Sequence, residues 1–124
     1  MMEKQFEVMN HTLLISETLV DSLVHVQWQL NQQKYQDAVF LIEDALKGFA
    51  SLERALLPLI SNSLEIKETD MKLPQIRKSI DYLVASLEKS QFGKVQEVLH
   101  FSLLPQVKAM KTACEKYFHP YVLS

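Results

Sequence analysis

The residues best suited to chemistry are Glu97 and His100, in the run Glu97-Val98-Leu99-His100. A Glu-x-x-His on one helix aims both side chains at a common point, and di-iron carboxylate bundles hold metal this way. Such bundles need the motif twice, with a further Glu from each of two other helices. Shifting the chain by 57 residues sets Phe40 on Glu97 and Glu43 on His100, so no second copy exists. Glu97 and His100 also flank the local apolar stripe instead of lying on it, which directs them to solvent. A metal-binding, ferritin-like enzyme using Glu97 and His100 is thus the alternative reading, and no metal or cofactor is expected.

The other reactive residue types are scattered. Asp21 and His25 are four apart, the spacing of an exposed helix pair worth a few tenths of a kcal/mol. His11 and His119 have no partners at ligand spacing. Cys114 is the single cysteine, so no internal disulfide forms, and it falls on an apolar stripe where a thiol acts as a small hydrophobe. The sequence holds no glycine-rich phosphate loop, no Gly-x-Ser-x-Gly and no Walker-type lysine. Catalysis is not expected.

Composition excludes further classes. A net charge of −2 gives no basic surface for nucleic acid. No apolar run approaches the roughly 20 residues of a membrane span. The first eleven residues lack the basic segment and apolar run of a secretion signal, so the cytosol is the expected location. Two glycines and four prolines are too few for the turns of an all-β fold.

The elements that must position these residues are helices. Tyr35, Ala38, Ile42, Ala45, Phe49, Leu52, Leu56 and Leu59 are spaced alternately three and four apart, which sets them on one face of a long second helix. A first helix runs from about Lys4 to Asn31, with Met9, Leu13, Ser16, Val20, Leu23, Gln27 and Leu30 on its stripe and Leu19, Val24 and Val26 beside it. Asn10 or Thr12 offers a cap for a later start. A polar linker covers about 62–73. Pro74 then suits the first turn of a third helix, with Asp70 as its cap. The third stripe is Leu73, Ile76, Ile80, Leu83 and Leu87. The fourth helix runs from Phe92 to about Phe118, ended by His119-Pro120. Its stripe of Phe92, Val95 and Leu99 slips by one position before Leu103, Val107, Met110, Cys114 and Tyr117, and a kink at Pro105 accounts for the slip.

These elements predict a single all-α domain over 1–124, an antiparallel four-helix bundle of two duplicated helical hairpins, about 4–61 and about 74–118. The 57-residue shift sets Tyr35 on Phe92, Ala38 on Val95, Ile42 on Leu99, Leu46 on Leu103 and Gly48 on Pro105. The small residues Ala45 and Ser102 also coincide, which suggests a close crossing of the second and fourth helices. Charge divides the same way. Residues 1–66 carry nine acids and four bases, a net of −5, and the rest carry six acids and nine bases, a net of +3.

Several large apolar residues lie off the stripes. Trp28, the only tryptophan, sits at the edge of the first helix's buried face. Phe40 and Phe101, with Leu41 and Val98, are expected to form a second apolar strip outside the core. A helix that is apolar on more than one side is either central in the fold or binds something. Trp28, Phe40, Leu41, Val98 and Phe101 are therefore the expected partner contacts. The partner is a second copy in a homodimer or a helical protein client, taken by helix-in-groove recognition.

Lys34-Tyr35-x-x-Ala38 followed by Leu41-Ile42-Glu43-Asp44-Ala45-Leu46-Lys47-Gly48, with Leu103-Leu104-Pro105 in the second half, resembles small uncharacterised bacterial helical proteins. The size and long hairpins look, more distantly, like cytosolic flagellar export chaperones. That resemblance implies a chaperone-like wrapping of a helical client.

Overall fold

In the computed structural model the backbone is described for residues 2–62 and 67–122, and the side chains for residues 6–59 and 71–120. The chain folds as four helices, with no strand among the described residues. They are α1 (Met2–Asn31), α2 (Tyr35–Asn62), α3 (Lys67–Glu88) and a fourth helix in three parts: α4 (Phe92–Val98), a π-helical turn (Leu99–Leu103) and α5 (Leu104–Val122).

α2 buries the stripe its spacing dictates. Ala38, Ile42, Ala45, Phe49, Leu52, Leu56 and Leu59 are all buried, and Tyr35 is half-buried at the end of the row. α1 packs on α2 and on α5, while α3 packs on the whole of the fourth helix and on α2. One small apolar void is lined from every helix, by Leu19 and Leu23, by Ala45 and Phe49, by Ile76 and Ile80, and by Leu103 and Val107. These residues mark the centre of the core. α2 has its main contacts with α1 and α3, so the close crossing of the second and fourth helices expected at Ala45 and Ser102 is not a principal contact.

Four sequence expectations change. α1 runs unbroken from Met2, so neither Asn10 nor Thr12 caps it; Thr12 is buried and its hydroxyl donates back to the Val8 carbonyl at 2.7 Å. Val24 is exposed, because the buried arc of α1 is set by two neighbours whose directions its sequence does not carry. α3 begins at Lys67, so Pro74 lies inside the helix and Asp70 is not a cap. Residues 63–66 of the expected linker lie outside the described residues. α5 continues through Pro120 to Val122, where the missing N–H falls so near the end that few backbone bonds depend on it.

The slip in the fourth stripe has a specific cause. The Leu104 N–H bonds to the Leu99 carbonyl, five residues back, which inserts one extra residue into the turn. Pro105 follows directly. Its ring crowds the carbonyl four residues before it, and a wider turn relieves that clash. Leu99, Leu103 and Leu104 are all buried as a result, and Val107, Met110, Cys114 and Phe118 resume the stripe beyond.

Among the described residues, the turns after α1 and α3 share one backbone hydrogen-bond pattern. Gln33 and Ser90 take left-handed conformations, φ 59° and 54°. Lys34 N–H bonds to the Gln29 carbonyl at 2.8 Å and Gln33 N–H to Leu30 at 3.1 Å. Fifty-seven residues on, Gln91 N–H bonds to Ser86 at 2.9 Å and Ser90 N–H to Leu87 at 3.0 Å. Each pair is a Schellman motif, which closes a helix and turns the chain sharply. The residues that open the next helices, Tyr35 and Phe92, stack on each other with ring centroids 4.2 Å apart and planes 7° apart.

Candidate interaction surface

Glu97 and His100 are both exposed. His100 lies in the π-helical turn, and Gln27 of α1 donates its side-chain amide to His100 Nδ1 at 2.6 Å. A second amide contact, Gln96 Nε2 to Asn31 Oδ1 at 3.0 Å, lies one turn away. These two bonds tie α1 to the fourth helix along a polar groove that Glu97 and Phe101 also line. Among the described residues no three His, Cys, Asp or Glu side chains gather closely enough to hold a metal ion. His100 thus sits in an interhelical hydrogen bond on the surface, where the wider π turn projects it.

The five expected contact residues do not form one strip. Phe40 and Leu41 are on α2, Val98 and Phe101 on the fourth helix, and Trp28 on α1. Leu41 lines the groove between α1 and α2, beside Leu14, Ile15, Ala45 and Gly48. Val98 lines a groove between α3 and α4 with Tyr82, Ala85 and Lys94. Phe101 lines the groove between α1 and the fourth helix. The single apolar strip is therefore corrected to three separate surfaces, because, apart from the Tyr35–Phe92 stack at their first residues, α2 and the fourth helix have α1 and α3 between them.

The exposure of the aromatic residues is large. Phe101 is 74% exposed, Phe40 58% and Trp28 48%. The His100 ring meets Phe101 edge-on with centroids 4.7 Å apart. Trp28 is bracketed by His25, whose ring centroid is 5.7 Å away, and by the Lys34 ammonium 4.9 Å from the indole centroid. His25 therefore packs against Trp28, and the contact between His25 and Asp21 expected from spacing is not among those observed. Leu41 and Val98 are half-buried against the core and form groove walls, not protrusions.

The groove between α1 and α2 has the most extensive apolar lining of the three. Its floor is Ile15, Leu19, Ala45 and Gly48, and Leu14 stands exposed on its rim. A Cβ added at Gly48 would meet Leu19 Cδ1 at 4.0 Å, an ordinary contact, so the helices do not require glycine there.

Sequence reasoning missed three exposed residues of the same kind, Leu14, Leu57 and Met71. Leu14 and Leu57 had a signal, since each lies off its helix's stripe; Met71 had none, because it fell in the expected linker. No described helix is long and apolar enough to cross a membrane. Cys114 is fully buried on its stripe.

Residues 7–113 match the family model described as Domain of unknown function (DUF8042), which covers most of the chain. The chain belongs to that family. No curated protein matches it, and no solved structure matches it.

Proposed function

We propose that this member of the DUF8042 family is a non-catalytic protein–protein interaction module of the cytoplasm, built as an antiparallel four-helix bundle of two duplicated hairpins. The duplication is supported by the two turns, whose hydrogen bonds and left-handed residues recur at a 57-residue shift. It is supported again by the face-to-face stack of the equivalent residues Tyr35 and Phe92.

The observation that carries the interaction reading is the exposure of Phe40 and Phe101 on rigid helices. Aromatic side chains held in fixed positions concentrate binding energy when a partner covers them. Trp28, Leu41 and Val98 complete the contact set. The grooves beside Leu41 and Val98 accept a helix by its apolar ridge. The partner is a second copy of the chain, with a homodimer as the simplest form, or a helical protein client; neither nucleic acid nor membrane is involved.

Light scattering over a range of concentrations, with pull-down of helical clients, tests this. Phe40→Ala and Phe101→Ala together are expected to lower the mass in solution or abolish capture, with helicity unchanged by circular dichroism. A double variant that matches the parent in both assays refutes the reading.

A further inference from the structure

We propose that the outward ridges of α1 and α3 are the two halves of a head-to-tail contact between copies of this chain. The inference goes beyond the contact set proposed above, with which it shares only Trp28, and names a second copy of the chain as the partner. Leu14, Glu17, Asp21, Val24 and Trp28 of α1 are all exposed and stand three, four, three and four residues apart. Met71, Gln75, Lys78, Tyr82 and Ala85 of α3 are all exposed too, and read backwards they follow the same spacing. An alternating three-four row is the seam pattern of paired helices. Each helix therefore carries a second seam, facing away from the one it buries in the core.

Laid antiparallel, the two ridges mesh position by position. Asp21 meets Lys78 at the centre, with Glu17 against the Tyr82 hydroxyl beside it. Trp28 meets Met71 at one end, a sulfur–aromatic contact. Leu14 meets Ala85 at the other, and Val24 meets Gln75. Glu17, Asp21 and Lys78 have no ion-pair or hydrogen-bond partner among the described residues.

Charge selects this pairing over the symmetric ones. Two antiparallel α1 ridges would set Asp21 against Asp21, with Glu17 one position away, and two α3 ridges would oppose their Lys78 side chains. Like charges facing across a contact disfavour it. The −5 balance of residues 1–66 and the +3 of the remainder favour the same mixed contact at longer range.

Because α1 and α3 each pack on both α2 and the fourth helix, they stand at opposite corners of the bundle. One neighbour cannot cover both ridges, so the contact is heterologous and builds open chains or closed rings of more than two copies. A seam of one helix against another is small, so the association is weak, rises with concentration and falls with salt.

Trp28 is the only tryptophan, so its emission reports the seam directly. The full chain is followed by fluorescence and by sedimentation velocity across concentration, in low and high salt. In low salt the expected result is a blue shift of Trp28 emission that tracks a mass climbing past the dimer, with both reversed by salt. Asp21→Lys and Lys78→Glu are each expected to weaken association about fivefold or more, since each trades an attraction for a repulsion. An equimolar mixture of the two variants restores opposite charges across the contact and recovers the association. Circular dichroism confirms that both variants fold.

A parent chain that stays monomeric at high micromolar concentration in low salt overturns the proposal. So does a mass that rises without any change in Trp28. Association that persists in both charge variants but is lost on Phe40→Ala and Phe101→Ala also overturns it, and in that case the interaction-module reading stands.

Discussion

Replacing Gln33 and Ser90 by glycine tests the two turns on which the hairpins depend. Both residues hold a left-handed backbone, φ 59° and 54°, at the position after the helix C-cap where glycine is the usual residue. A Cβ there costs about 1–2 kcal/mol per residue. Glycine removes that cost but is freer in the unfolded chain, which returns about 0.4–1 kcal/mol. The expected net gain is about 0.5–1 kcal/mol for each of Gln33→Gly and Ser90→Gly. At about 2.1 cal/mol/K of unfolding entropy per residue, the 124 residues give about 260 cal/mol/K. Each kcal/mol therefore raises Tm by about 4 °C, and the double variant is expected to gain about 4–8 °C. Thermal unfolding followed by far-UV circular dichroism measures this, and urea titration gives the same comparison at constant temperature. Gln33→Ala and Ser90→Ala are the controls, expected to change little because alanine keeps the Cβ. A loss of stability on either glycine substitution refutes the argument. A gain at one turn only refutes the equivalence of the two turns.

Three further outcomes follow from the packing. Gly48→Ala is expected to stabilise the chain by about 0.5–1 kcal/mol, since the added Cβ meets only Leu19 Cδ1 at ordinary distance and alanine is the better helix former; chemical denaturation checks it. Gln29→Met is expected to be neutral or stabilising by up to about 1 kcal/mol, because Gln29 Oε1 is buried without a hydrogen-bond partner and the thioether needs none; the urea midpoint reads the change. Deletion of Ser102 combined with Pro105→Ala is expected to leave a folded, cooperative bundle, because removing the extra residue of the π-helical turn turns it into an ordinary helical turn without moving either half of the stripe. Deletion of Ala109 instead moves Met110, Cys114 and Phe118 off the core and is expected to abolish cooperative unfolding in calorimetry.

The sequence carried the fold wherever one face of one helix decides the outcome. All of the α2 stripe went where its three-four spacing directs it, since a broad apolar row on one helix has only the core to enter. Pro74 misled for a physical reason. A proline is cheapest in the first turn, and local preference places the helix start there, but α3 begins at Lys67 and tolerates the lost bond while Leu73 and Ile76 bury on either side of it. The π-helical turn was legible only as a slip in register. A one-residue insertion and a kink leave the same trace in a hydrophobic pattern, and only the Leu104 to Leu99 hydrogen bond separates them. The exposure of Phe40, Phe101 and Trp28 was legible because each lies off its stripe. The division of Leu41, Val98 and Phe101 among three grooves was not, because it depends on which helices adjoin, and no single helix's periodicity carries that.

If the two hairpins are duplicates, as proposed, their equivalent positions diverge in an informative way. At a 57-residue shift Leu14 coincides with Met71 and Asp21 with Lys78, all four exposed. The first pair keeps its apolar character where water alone would favour a polar residue. The second reverses sign. Opposite charge at matching places removes the self-pairings and keeps the mixed one. On this view the hairpins stayed alike where they pack together in the core. On the proposed head-to-tail contact, they became complementary where each would meet the next molecule.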